Sequence, residues 1–127
     1  MANMSIQENV PFYQVTFSDQ SMQELNKLNA VAQMELIDRL SHLSPEGLQA
    51  SPPDMGVFNR DGKTFYRLRA GDYRIYFEAS GNILYSNYIL HQHTWADFAF
   101  RCKLPVNEEA MIESDQSFWS YLENLKK

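Results

Sequence analysis

The sequence predicts an α+β fold in which helices pack on an antiparallel sheet, and three stretches carry that prediction. FYRLRAGDYRIYF, Phe65 to Phe77, alternates along two short runs that meet at a tight turn, the mark of a β-hairpin. Leucines at helical spacing between Leu25 and Leu43 mark an amphipathic helix or a helical hairpin. A terminal run carrying Met111, Ile112, Phe118, Trp119, Leu122 and Leu125 marks a further amphipathic helix. With 127 residues, 44% of them hydrophobic, the chain has apolar mass for one core and one compact domain.

The elements follow in order. Val10 to Ser18, VPFYQVTFS, alternates β-branched and aromatic residues and reads as a first strand. Ser18-Asp19 and the capping box Ser21-Met22-Gln23-Glu24 mark a helix start, because their side chains satisfy orphan backbone amides. Leu25, Leu28 and Val31, then Leu36, Ile37, Leu40 and Leu43, form its stripe. Asn29 interrupts it, which leaves open one long helix or a hairpin bent near 29–31. Pro45-Glu46-Gly47 terminates the helical region. Residues 44–62 read as a connector, with a brief strand contact at Gly56-Val57-Phe58 before the Asp61-Gly62 turn. Lys63 to Glu78 is the hairpin, turned at Ala70-Gly71, and Ser80-Gly81-Asn82 leads into a third antiparallel strand from Ile83 to about His91. A short helix from Thr94 to Arg101, capped by Thr94, ends before Lys103-Leu104-Pro105, and the tail helix follows from Asn107.

Charge and composition narrow the function classes. The formal net charge of −5 argues against a general nucleic-acid binder. Its distribution is uneven: residues 60–103 sum to +3, residues 1–59 to −5 and residues 104–127 to −3. A basic sheet is thus flanked by acidic segments, either ordinary solvated helix faces or a cover for the basic face. The lone Cys102 excludes an internal disulfide and has no paired base nearby in sequence for nucleophilic catalysis. No signal peptide and no membrane-length apolar run is visible, so the expectation is a cytoplasmic protein without a membrane partner.

Alternation puts Phe65, Arg67, Arg69, Asp72, Arg74 and Tyr76 on one side of the hairpin. Tyr66, Leu68, Tyr73, Ile75 and Phe77 form its core side. A turn at Ala70-Gly71 would set Arg67 opposite Arg74, a repulsive pair that calls for an anion. Tyr76, Tyr85 and Asn87 flank the arginines in the simplest register of the third strand. His91 and His93, two apart, share a strand face; with no Cys or acidic partner close in sequence they predict no metal site, which leaves strand-end packing or surface polarity, or a general acid or base at His93 or His91. Phe98, Trp95, Phe118 and Trp119 read as packing residues. No phosphate loop and no cofactor motif is present, so neither a metal nor a small-molecule cofactor is expected.

Tyr66-Arg67-Leu68-Arg69, Gly71-Asp72 and Tyr73-Arg74-Ile75 resemble the central hairpin of the RelE/ParE toxin superfamily of bacterial toxin–antitoxin systems. The resemblance covers roughly residues 10–101 and implies a domain at 1–103; residues 104–127 lie beyond it and are expected to form an acidic amphipathic helix packed on the same domain. It also implies an N-terminal strand, a helix or helical hairpin, a three-stranded antiparallel meander, a short helix and the terminal helix. RelE-like members use basic side chains of this sheet on ribosome-bound messenger RNA, whereas ParE-like members target DNA gyrase. Arg74 matches the arginine that stabilises phosphate, a role suited to an always-charged, bidentate guanidinium. The family's terminal His-Arg and later Tyr correspond to His93-Thr94 and Phe98, and a phenylalanine cannot transfer a proton. The expectation is therefore a toxin-fold protein with weak or lost RNase chemistry, binding an antitoxin-like protein or RNA partner through Arg67, Arg69, Arg74, Tyr76 and His91. The alternatives are an active ribosome-dependent mRNA endoribonuclease, with Arg74 and His93 catalytic, or a repurposed structural or regulatory subunit.

Overall fold

A computed structural model describes residues 13–49, 55–101, 112–113 and 115–124. Its strands are β1 (Gln14–Phe17), β2 (Met55–Arg60), β3 (Lys63–Ala70), β4 (Tyr73–Ser80) and β5 (Ile83–His91). They form one sheet in the order β1-β5-β4-β3-β2. β2 to β5 are antiparallel neighbours in sequence, and β1 lies parallel on the outer side of β5. The helices among the described residues are α1 (Asp19–Asn26), α2 (Ala30–Ser41), α3 (Pro45–Gln49), α4 (Gln92–Arg101) and α5 (Gln116–Asn124). The class is α+β, as the sequence predicts.

Two turns fix the central register. Asp61 and Gly62 both take positive φ, 52° and 80°, the two-residue turn that suits the twist of the flanking strands. This makes Met55–Arg60 a full six-residue strand rather than a brief contact, and the meander has four strands instead of three. At the hairpin, Gly71 takes φ 61°, so the turn is Gly71-Asp72 and not Ala70-Gly71. A glycine accepts that conformation without steric cost and an alanine does not. Arg69 therefore stands opposite Arg74, and Arg67 opposite Tyr76 rather than Arg74. Asp72 sits in the turn instead of across from Arg69.

The helical region is a hairpin of two helices, resolving the alternative left by the leucine stripe. Ser18 caps α1 by accepting from the Ser21 amide, and Asn29 caps α2 by accepting from the Ala32 amide. The box at Ser21 thus lies inside α1, where its hydroxyl turns to the sheet. α2 ends at Ser41, and Pro45 starts α3 rather than stopping a helix. Proline has no amide to lose at a first helical position, and Ser44 Oγ accepts from the Gly47 amide at 3.1 Å.

α1–α3 cover one sheet face. Leu25, Leu36, Leu40 and Leu48 pack there with Leu68, Ile75, Phe77, Leu84 and Ile89. β1 ends at Phe17, which leaves the outer backbone edge of β5 beyond Ser86 without a strand. Side chains of α1 and its cap fill the gap. Gln20 donates from Nε2 to the Ile89 carbonyl and accepts at Oε1 from the Ile89 amide, both at 2.9 Å. Ser18 Oγ donates to the Asn87 carbonyl at 2.6 Å, and Ser21 Oγ to the Ser86 carbonyl at 3.0 Å. Buried backbone groups demand partners, and here a glutamine amide replaces a strand.

α4 and α5 cover the opposite face. Tyr76, Tyr88, Leu90, Trp95, Phe98, Ile112, Phe118, Trp119 and Leu122 form a second buried cluster there. The two cores lie back to back on one sheet.

Candidate functional site: a closed arginine seam

Arg67, Arg69, Arg74 and Tyr76 share the α4/α5 face. A turn centre displaced by one residue changes which residues pair but not which side each takes. Only the rim of this face is open. Arg69 is exposed, with its carbonyl accepting from Arg39 Nη2 at 3.1 Å, while Arg74 is 4% and Tyr76 0% exposed. Of the expected binding residues, Arg74 and Tyr76 thus lie under cover rather than at the surface.

Each buried cation has an internal partner. The Arg74 guanidinium lies 3.9 Å from the Trp95 ring centroid, and its Nη1 donates to Gln92 Oε1. The cation–π contact and a hydrogen bond together replace part of the hydration a buried guanidinium loses. Arg67 Nε donates to Glu113 Oε2 at 3.3 Å, and the Tyr76 hydroxyl donates to the same oxygen at 2.8 Å. Glu113 is itself 3% exposed, and its carbonyl accepts from Trp119 Nε1 at 2.7 Å. Burial, and next the Glu113 carboxylate, hold the Tyr76 phenol well above the ordinary 10.0, so it stays neutral and donates.

Gly56, opposite Arg67 on β2, gives the guanidinium its room: a Cβ there would stand 2.6 Å from Arg67 Nη2. Farther out, Arg60 lies 4.5 Å from the Trp119 ring centroid and donates to Gln116 Oε1 at 3.3 Å. The described part of the C-terminal segment is thus tied to β2, β3 and β4 by charge as well as by apolar packing.

The histidines lie elsewhere. β5 carries a bulge at Asn87, so Tyr88 rather than Asn87 stands opposite Tyr76. One inserted residue reverses the alternation beyond it. His91 consequently pairs with Tyr73 on the α1–α2 face, with ring centroids 5.0 Å apart, and does not join Arg67, Arg74 and Tyr76. His93 belongs to α4 rather than to a strand face shared with His91. Its amide donates to His91 Nδ1 at 3.0 Å, so His91, not Thr94, caps the helix. Among the described residues, no group of three or more His, Cys, Asp or Glu is arranged to hold a metal.

Phe98 is buried, with its ring centroid 5.4 Å from Phe118 and 5.2 Å from Tyr121. Trp95 Nε1 is buried with no hydrogen-bond partner among the described residues. Sequence reasoning missed Gln92 and Glu113, which accept from the seam's donors among the described residues. The available signal for Glu113 was a carboxylate beside Ile112 in the apolar run of the tail.

No protein-family model matches the chain, and no curated protein sequence matches it. Among solved structures, a chain of the archaeal RelE–RelB complex from Pyrococcus horikoshii OT3 superposes with a TM-score of 0.52 at 19% identity, covering 63% of this chain and 94% of that one. The fold is RelE-like. A chain of the RelBE2 toxin–antitoxin complex of Mycobacterium tuberculosis gives a TM-score of 0.49 at 19% identity, covering 63% of this chain and 98% of that one. A chain of the Methanococcus jannaschii RelB–RelE complex gives 0.39 at 20%, with 65% and 95% covered. No helix among the described residues of this RelE-like chain is long and apolar enough to cross a membrane.

Proposed function

We propose that this chain is a RelE-like toxin-fold protein with weak or lost RNase chemistry, and that its arginine face is a binding surface occupied by its own acidic C-terminal segment. One observation carries the reading. The buried Glu113 carboxylate accepts from Arg67 and Tyr76, on the face where the resemblance would put an RNA phosphate. A carboxylate and a phosphate compete for the same donors, and neither tolerates the other beside it in a dry site. Phe98 supports the same reading, since a buried phenyl ring supplies neither an acid nor a base. The working partner is then a protein of antitoxin type, as in the RelE–RelB complexes, rather than message in a ribosome.

The test is ribosome-bound message incubated with the full-length chain. The reading predicts no position-specific cleavage and no growth arrest on induction. Cleavage abolished by Arg74→Ala would contradict it and favour the enzyme. One contact bears on that second reading: Gln92, the neighbour of His93, holds Arg74, so α4 ties an imidazole-bearing helix start to the buried guanidinium.

A further inference from the structure

The solvent side of α2 carries a second surface, unrelated to the arginine seam. Leu36 and Leu40 point into the first core, while Val31, Met34 and Ile37 occupy the opposite side. Val31 is 68% and Met34 70% exposed. Large apolar side chains three apart on an outward helix face make a strip that water solvates poorly. Glu35 and Asp38 lie beside this strip and also line an adjoining cavity of about 430 Å³ between α2 and the Gly71-Asp72 turn. Asp72 forms the far lip of that cavity. The nearby basic groups are already engaged, including Arg39, which itself lines the cavity. Arg39 donates to the Arg69 carbonyl at 3.1 Å, Lys27 meets Glu24 at 2.7 Å, and His42 meets Asp38 at 3.3 Å.

We infer that the Val31–Met34–Ile37 strip of α2, with Glu35, Asp38 and Asp72 along its flank, docks a basic amphipathic helix of a partner protein. Apolar side chains of that helix cover Val31 and Met34. A lysine or arginine one turn away enters the cavity toward Glu35, Asp38 and Asp72. A second copy of this chain fits poorly, because α2 against α2 brings Glu35 and Asp38 near their own kind and like charges repel. An anionic membrane is disfavoured for the same reason. The inference rests on the reading that the chain works through a protein partner. It places that partner away from the seam, so the two claims fail separately.

The probe is an 18-residue leucine–lysine amphipathic peptide, with a control of identical composition scrambled to abolish its apolar face. Binding to the full-length protein is followed by fluorescence anisotropy at physiological salt. The expected result is saturable binding of the amphipathic peptide, at least tenfold weaker binding of the scrambled one, and unchanged binding by Asp97→Asn, a surface carboxylate of α4 paired to Arg101. Met34→Asp decides between docking and plain charge attraction, because it makes the surface more acidic while breaking the strip. Docking predicts at least a tenfold loss, and Glu35→Lys a loss of similar size. The inference is overturned if Met34→Asp binds equally or more tightly, if both peptides bind alike, or if neither binds. It is also overturned if the protein self-associates through this strip, seen as a dimer in sedimentation that Met34→Asp dissolves.

Discussion

The two faces of the sheet are buried by different chemistry. On the α1–α3 face the core is aliphatic and aromatic, and its buried polar side chains Ser18, Gln20 and Ser21 bond the backbone of β5. They replace a missing strand and carry no charge. On the α4/α5 face, aromatic rings surround two guanidinium groups, a phenol and a carboxylate that bond one another. Neutral groups paired to backbone contribute about 1 kcal/mol each and serve architecture. A buried charge pair is a poor source of stability compared with apolar side chains of the same volume. Stability alone therefore does not account for it. The first face builds the fold, and on the proposed reading the second is a binding surface that carries its own occupant.

The largest effect that would test this contrast comes from the carboxylate. Glu113→Ala should lower unfolding free energy by roughly 3–5 kcal/mol in a denaturant titration, because Arg67 and Tyr76 lose their acceptor inside a dry layer. A loss under about 1 kcal/mol would mean that the seam is wet. Next, Gln20→Ala should cost about 2 kcal/mol by leaving both Ile89 backbone groups without partners, with no gain in affinity for anions. An anion-binding gain from Gln20→Ala would erase the distinction between the faces.

Tyr76→Phe should cost about 1–2 kcal/mol at neutral pH through the lost hydrogen bond to Glu113. It also changes the alkaline limb. The folded-state phenol lies above its unfolded value of 10.0, so its contribution is fully present below that pH and is lost as pH rises toward the folded value. Stability of the native chain should therefore fall above about pH 10 more steeply than that of Tyr76→Phe, measured by chemical unfolding at stepped pH. The smallest effect is conditional. Gly56→Ala in a strand ordinarily stabilises by about 0.5–1 kcal/mol, but here the added methyl meets Arg67 and should cancel that gain. With Arg67→Ala already present, the gain should return.

Much of this was legible because strand alternation is robust. Arg67, Arg69, Arg74 and Tyr76 share a face whichever residue begins the turn, so long as the count between the strands keeps its parity. Their pairing was not legible, since it depends on Gly71 taking the positive φ. The β-bulge was the harder loss. Nothing in LYSNYILHQH announces the extra residue at Asn87, yet it alone moves His91 to the other face. β2 was hidden by the prolines and glycine around it, although an Asp-Gly turn flanked by alternating residues is a strong hairpin signal. Burial of the arginines lay beyond reach, because it depends on a carboxylate 46 residues from Arg67 in the chain.

The central claim is that the arginine face is closed in the native chain, and the protein carries its own reporter. Both of its tryptophans, Trp95 and Trp119, lie in the second core, at 0% and 3% exposed. Native tryptophan emission, with acrylamide quenching, therefore reads that layer alone. Closure predicts blue-shifted emission and weak quenching in the native chain, and a red shift with strong quenching on unfolding. Solvent-like emission and ready quenching, in a chain whose circular dichroism is fully native, would contradict it.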